Sequence, residues 1–137
     1  MSRPGLHQLP KGYRFAPVSY TLDDDWVESY LAATEDTTTP ALEPSAVPPL
    51  AVLALAVRAL LEQARLPEGS LHLSQEMACQ RLPRRGETVV AEAAIVSRGE
   101  RQGWVLLGIE LSVRGSRGEV VVSGRATLGL PAREEGP

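Results

Sequence analysis

Cysteine is all but missing from this 137-residue chain: Cys79 is the only one, which excludes an intrachain disulfide and any zinc site built from several thiolates. A reducing compartment therefore fits; separately, neither a metal nor a cofactor is expected. Surplus positive charge is missing too. With 14 basic and 17 acidic residues the formal net charge is −3, so no field gathers phosphate backbones and no nucleic-acid partner is expected. The densest basic run, Arg81 to Arg85 (RLPRR), is broken by a proline and reads as decoration of a turn. No apolar run is long enough to cross a bilayer, since the longest, Leu50 to Leu61, contains Arg58. The opening MSRPGLHQLPKGY has no apolar stretch of signal-peptide length. A soluble, cytoplasmic protein with no membrane partner is expected. Asparagine is absent and 13 of the 14 basic residues are arginine, which suits a hot environment or a GC-rich genome equally.

What remains is an ordinary globular composition, 43% hydrophobic and 23% charged, in a length that fits one domain with one core. Residues 1–12, broken by Pro4, Gly5, Pro10 and Gly12, read as an N-terminal arm; 13–131 as the domain; and 132–137 (AREEGP) as a flexible tail. No internal repeat or low-complexity tract interrupts them.

Tyr13 to Tyr20 (YRFAPVSY) reads as a short strand that Pro17 pushes to a sheet edge. A helix should follow. Asp23, Asp24 and Asp25 stand where first-turn carboxylates cap free N–H groups, and Trp26, Val27, Tyr30 and Leu31 recur at helical spacing. The acid cluster is therefore a helix start rather than a metal site. After a proline-broken loop over 35–47 comes LAVLALAVRALL, Leu50 to Leu61, so apolar that the helix must be buried nearly all round. Pro48 and Pro49 suit its first turn, and Pro67 with Gly69 ends it after Arg65.

The second half alternates with period two in four strands. Leu71, Leu73, Met77 and Cys79 share one face of the first, and Val89, Ala91, Ala93 and Ile95 one face of the second. Val105, Leu107, Ile109, Leu111 and Val113 mark the third; Val120, Val122, Gly124, Ala126 and Leu128 mark the fourth. Short breaks between them predict a meander of antiparallel neighbours. An α+β fold follows, a curved antiparallel sheet wrapped around the apolar helix, which is the hot-dog architecture. A flat sheet would leave several aliphatic side chains wet, at a cost of several kcal/mol at about 25 cal/mol per Å². The open sheet edges predict dimerisation.

The segments YLAATED, AVPPL and LHLSQEMACQRLPRRGETV, in this order over about Phe15 to Leu130, resemble the MaoC-like hydratases and dehydratases, in particular their N-terminal-type hot-dog domains. The resemblance implies addition of water to, or its removal from, the double bond of an acyl thioester carried on coenzyme A or acyl carrier protein. It also implies an Asp and a His that hold the catalytic water, and N–H groups at a helix N-terminus that polarise the thioester carbonyl. Asp36 stands where the family's aspartate is expected. The histidine that should follow is replaced, with Ala41 and Leu42 in its neighbourhood and none between His7 and His72. The loop from Asp36 to Pro48 is also shorter than in the active hydratases.

Asp36 is thus either a catalytic acid or a turn residue bonded to local backbone. His72, alternating with Ser74 and Glu76, is either an outer-face strand histidine or the replacement for the missing imidazole. By the same resemblance Val47, Pro48 and Leu50, where the central helix opens, contact substrate. Gln75, polar on an apolar face, either satisfies a structural hydrogen bond or contacts the thioester arm. Cys79 reads as a small core residue, and Trp104 faces either solvent or a partner subunit. Three functions fit: an enoyl-thioester hydratase or dehydratase that pairs as a homodimer or with another hot-dog subunit supplying the histidine; a non-catalytic acyl-thioester-binding or scaffold subunit; and a hot-dog acyl-CoA thioesterase using Glu62.

Overall fold

The computed structural model describes residues 3–35 and 43–133. In chain order it comprises a 3-10 turn (Leu6–Gln8), β1 (Val18–Thr21), α1 (Asp24–Thr34), α2 (Pro49–Gln63), β2 (Leu71–Cys79), β3 (Thr88–Arg101), β4 (Trp104–Arg114) and β5 (Val120–Pro131). The acid cluster behaves as its spacing predicts. Asp23 caps α1, its carboxylate accepting the Trp26 N–H at 2.8 Å, and Asp24 and Asp25 fill the first turn. Val27 and Leu31 are the buried face.

The strands form one five-stranded antiparallel sheet in the order β1-β3-β4-β5-β2. Only β3, β4 and β5 make a meander. The expected hairpin between β2 and β3 does not exist; β2 lies at the far edge against β5, and β1 takes the other edge. The PRRGE break is instead a crossover whose backbone is bonded elsewhere. Val47 N–H donates to Pro83 O at 2.8 Å, Arg85 N–H to Ser45 O at 2.9 Å and Gly86 N–H to Leu22 O at 2.7 Å. Across its base Arg81 grips Glu87 through two hydrogen bonds of 3.0 and 2.9 Å, which hold the Glu87 carboxyl below the usual carboxylate range. The β3–β4 connection is a tight hairpin at Gln102 and Gly103, both at positive φ.

The inner faces of β3 and β4 are those that alternation predicts: Val89, Ala91, Ala93 and Ile95, then Val105, Leu107, Ile109, Leu111 and Val113, all buried. Against them pack Ala51, Val52, Leu53, Leu55, Ala56, Ala59 and Leu60 of α2. The helix approaches β5 so closely that a Cβ on Gly124 would stand 2.9 Å from Leu53 Cδ2 and 2.6 Å from Glu76 O. Glycine is what allows that contact. α2 is not covered on every side, however. Leu50, Ala54, Val57 and Leu61, at i, i+4, i+7 and i+11, form a flank on which Leu50 is 53% exposed. The N-terminal arm is docked: Leu6 and Leu9 are buried, Leu6 N–H donates to Arg65 O at 2.8 Å and Arg65 N–H to Pro4 O at 2.7 Å. Among the described residues, no helix is long and apolar enough to cross a membrane.

Candidate functional site

The open flank of α2 borders a recess that is open to solvent on one side. It forms one wall of a cavity of about 430 Å³ whose other wall is Ile109, Leu111, Ala126 and Leu128 of β4 and β5. Leu71, His72 and Gln75 of β2 line it from the sheet edge, Ser70 and Leu66 from the preceding turn, and Tyr30 from α1. The lining is thus almost wholly aliphatic with a few polar groups, the chemistry of a pocket for an apolar ligand with a polar end. The Ser70 hydroxyl already donates to Pro67 O at 2.6 Å. His72 and Gln75 make no side-chain hydrogen bond to another described residue, so both heads are available to a ligand.

A β-bulge puts those two side chains there. The pairing of β2 with β5 is regular at His72↔Leu128, slips, and resumes at Ser74↔Thr127 and Gln75↔Ala126. One residue more on β2 than on β5 exchanges the faces. His72, Gln75, Met77 and Cys79 consequently lie opposite the inward residues Leu128, Ala126, Gly124 and Val122. Simple alternation places Leu73 with Met77 and Cys79 and His72 opposite them. Here Leu73 is turned to the outer face, 3.4 Å from where a Gly129 Cβ would be and beside Trp104, while His72 lines the cavity. Trp104 is part of that outer face and 38% exposed. Nor is Cys79 a core residue: it is exposed at the end of β2, its Sγ 3.1 Å from Arg81 O.

The start of α2 is also reshaped. Val47 and Pro48 are buried behind the crossover and do not line the cavity. Val47 N–H is already given to Pro83, and Pro48 and Pro49 have no N–H. Leu50 does line the cavity, and its N–H, in the first helical turn, has no partner among the described residues. At the positive end of α2, one residue that lines the cavity thus carries a backbone N–H with no partner among the described residues. Asp36 lies outside the described residues. Glu62 does not line the cavity; its carboxylate is 3.2 Å from Arg58 Nε on the exposed side of α2. Among the described residues, no group of three or more His, Cys, Asp or Glu is placed to hold a metal ion. The aliphatic flank at 50, 54, 57 and 61 is the feature that the sequence reading missed, although its four-three-four spacing could have revealed it.

No family model and no curated protein matches the chain. Solved structures do. The (R)-hydratase from A. caviae involved in PHA biosynthesis superposes with a TM-score of 0.74 at 21% identity, over 90% of this chain and 98% of that one. A MaoC-like dehydratase from Rhodospirillum rubrum gives 0.72 at 17%, over 96% and 99%. A conserved hypothetical protein from Mycobacterium tuberculosis, described as a double hot-dog fold, gives 0.77 at 18%, over 98% of this chain but 46% of that one. The chain has the hot-dog fold, the architecture of these hydratase and dehydratase structures.

Proposed function

We propose that this protein is a subunit of a MaoC-like enoyl-thioester hydratase or dehydratase, which lays the acyl chain of a CoA or carrier-protein thioester against the open flank of α2. The observation that carries this reading is the aliphatic cavity of about 430 Å³ with the unengaged heads of His72 and Gln75 at its edge. In the hydration direction a water loses a proton to one member of the Asp36–His72 pair as its oxygen bonds to the β-carbon. The other member delivers a proton to the α-carbon, and the Leu50 N–H meets the enolate oxygen that develops in between. Gln75 orients the thioester arm.

Assembly completes the subunit. All nine residues of β2 are exposed and its outer edge pairs with no described strand, a state that proteins cover. Pairing with a second hot-dog subunit through β2 would cover Leu73 and Met77. The likeness to about half of a double hot-dog chain supports such a pair, whether homodimeric or heterodimeric.

The test is hydration of crotonyl-CoA by the purified protein, followed by loss of the enoyl absorbance. His72→Ala and Asp36→Ala should each lower kcat by about 10²- to 10⁴-fold, the usual worth of general acid–base groups. Rates equal to wild type would remove the residue from the mechanism. A second reading, a non-catalytic acyl-thioester-binding subunit, is favoured by the lack of any histidine between His7 and His72. Thermal stabilisation by acyl-CoA without turnover, alone or with a partner subunit, would establish it.

A further inference from the structure

The arginine run that the sequence presents as turn decoration lies in a second, polar recess. Arg81 and Arg84 of the crossover, Glu87, and Ser116, Arg117 and Glu119 of the β4–β5 turn line an open recess of about 490 Å³. Its two carboxylates are already committed. Glu87 accepts from both terminal guanidinium nitrogens of Arg81, Nη1 and Nη2, and from the Arg84 N–H at 2.8 Å, and Glu119 is 3.6 Å from the same Arg81. Glu43, the other acid near Arg84, is engaged by Ser45 through its hydroxyl at 2.9 Å. The guanidinium heads of Arg84 and Arg117 therefore have no ion pair among the described residues, and they line one recess with the Ser116 hydroxyl. In a chain of net charge −3, three arginines line one recess, and two of them have guanidinium donors with no ion-pair partner among the described residues. The chain connects the recess to the candidate site: Ala46 bridges to Arg84, and four residues further on Leu50 lines the cavity beside α2.

We infer that Arg84, Arg117 and Ser116 form a binding site for phosphate groups, and specifically for the nucleotide phosphates of a CoA thioester whose acyl end occupies the cavity. The fork of each guanidinium matches phosphate oxygens bidentately, and the hydroxyl supplies a further donor. Arg81, held by Glu87 and Glu119, positions the crossover rather than the ligand. The choice of CoA rests on the acyl-thioester reading; the phosphate chemistry itself does not.

The experiment has two readouts. Adenosine 3′,5′-bisphosphate is titrated calorimetrically into wild type and into Arg84→Gln/Arg117→Gln, and KM is compared for crotonyl-CoA and for crotonyl-pantetheine, which has no phosphate. Both arginines are on the surface, and matched circular dichroism and melting curves check the fold of the variant. The expected results are binding that weakens tenfold or more in the variant and with added salt, together with a KM rise of about tenfold for the CoA thioester alone. Equal bisphosphate affinity in the two proteins, or no binding to wild type, overturns the site. Hydration of crotonyl-pantetheine without bisphosphate binding overturns it while leaving the acyl-thioester reading intact; bisphosphate binding that depends on the arginines, without turnover or binding of any acyl thioester, does the reverse. An equal KM rise for crotonyl-CoA and crotonyl-pantetheine rejects the nucleotide phosphates as the ligand.

Discussion

Replacing Ala54 with phenylalanine puts a ring into the aliphatic cavity, the proposed acyl site, from the middle of its helical wall. Ala54 lines the cavity and is exposed within it, so the ring enters empty space and not a packed core. It takes the room of about four methylene groups, each worth about 0.8 kcal/mol when buried. An acyl chain long enough to fill the cavity should lose about 3 kcal/mol, or roughly 200-fold in affinity. A short chain that stops at the thioester end should lose much less. The fold should be indifferent, because phenylalanine costs a helix only about half a kcal/mol relative to alanine. The assay is calorimetric titration of wild type and Ala54→Phe with a saturated acyl-CoA series from four to twelve carbons, alongside thermal melts. The reasoning predicts a loss that grows with chain length on an unchanged melting temperature. Affinities that fall equally for every length, or do not fall at all, refute the placement of the chain beside α2.

Three further outcomes test the framework. Leu53→Ala empties a fully buried position against Gly124 and should cost about 3 to 5 kcal/mol in urea unfolding; a cost below 1 kcal/mol would mean that α2 is not packed on β5. Because Arg81 depresses the Glu87 pKa, the pair contributes stability that is present above the carboxylate's unfolded pKa and is lost as pH falls through the folded one. Glu87→Gln should therefore lower stability at neutral pH and flatten the acid limb of the stability curve, and an unchanged acid limb contradicts this. Leu73→Lys with Met77→Lys on the exposed edge strand should reduce the mass seen by light scattering from two chains to one, and an unchanged mass moves the subunit contact away from β2.

What the sequence made legible was whatever repeats with a regular period. Asp23 as a helix cap, α2 starting at the double proline, and the inward faces of β3 and β4 all depend on contacts within a few residues or on strict alternation. The hot-dog arrangement followed from one helix too apolar to stand alone. The misses have the opposite character. The bulge between His72 and Ser74 is a hydrogen-bonding event with β5, some fifty residues away, and it reverses the faces of the strand that carries His72 and Gln75. The PRRGE break is as short as a hairpin, yet its partners are Ser45, Val47 and Leu22, which no local pattern announces. Leu6 and Leu9 are buried out of a stretch with no period. At the candidate site, Leu50 was legible as a helix-start residue, whereas the burial of Val47 and Pro48 depends on that same crossover.

The central claim is that a thioester's acyl chain lies between the open flank of α2 and the inner face of β2 and β5. A crystal structure of the protein with a non-hydrolysable octanoyl-CoA analogue tests it most directly. The account predicts density for the alkyl chain between Ala54 and Val57 on one side and Ala126 and Leu128 on the other, with the thioester within hydrogen-bond reach of Leu50 N–H, Gln75 or His72. An alkyl chain bound elsewhere, with this cavity empty or collapsed, would contradict it.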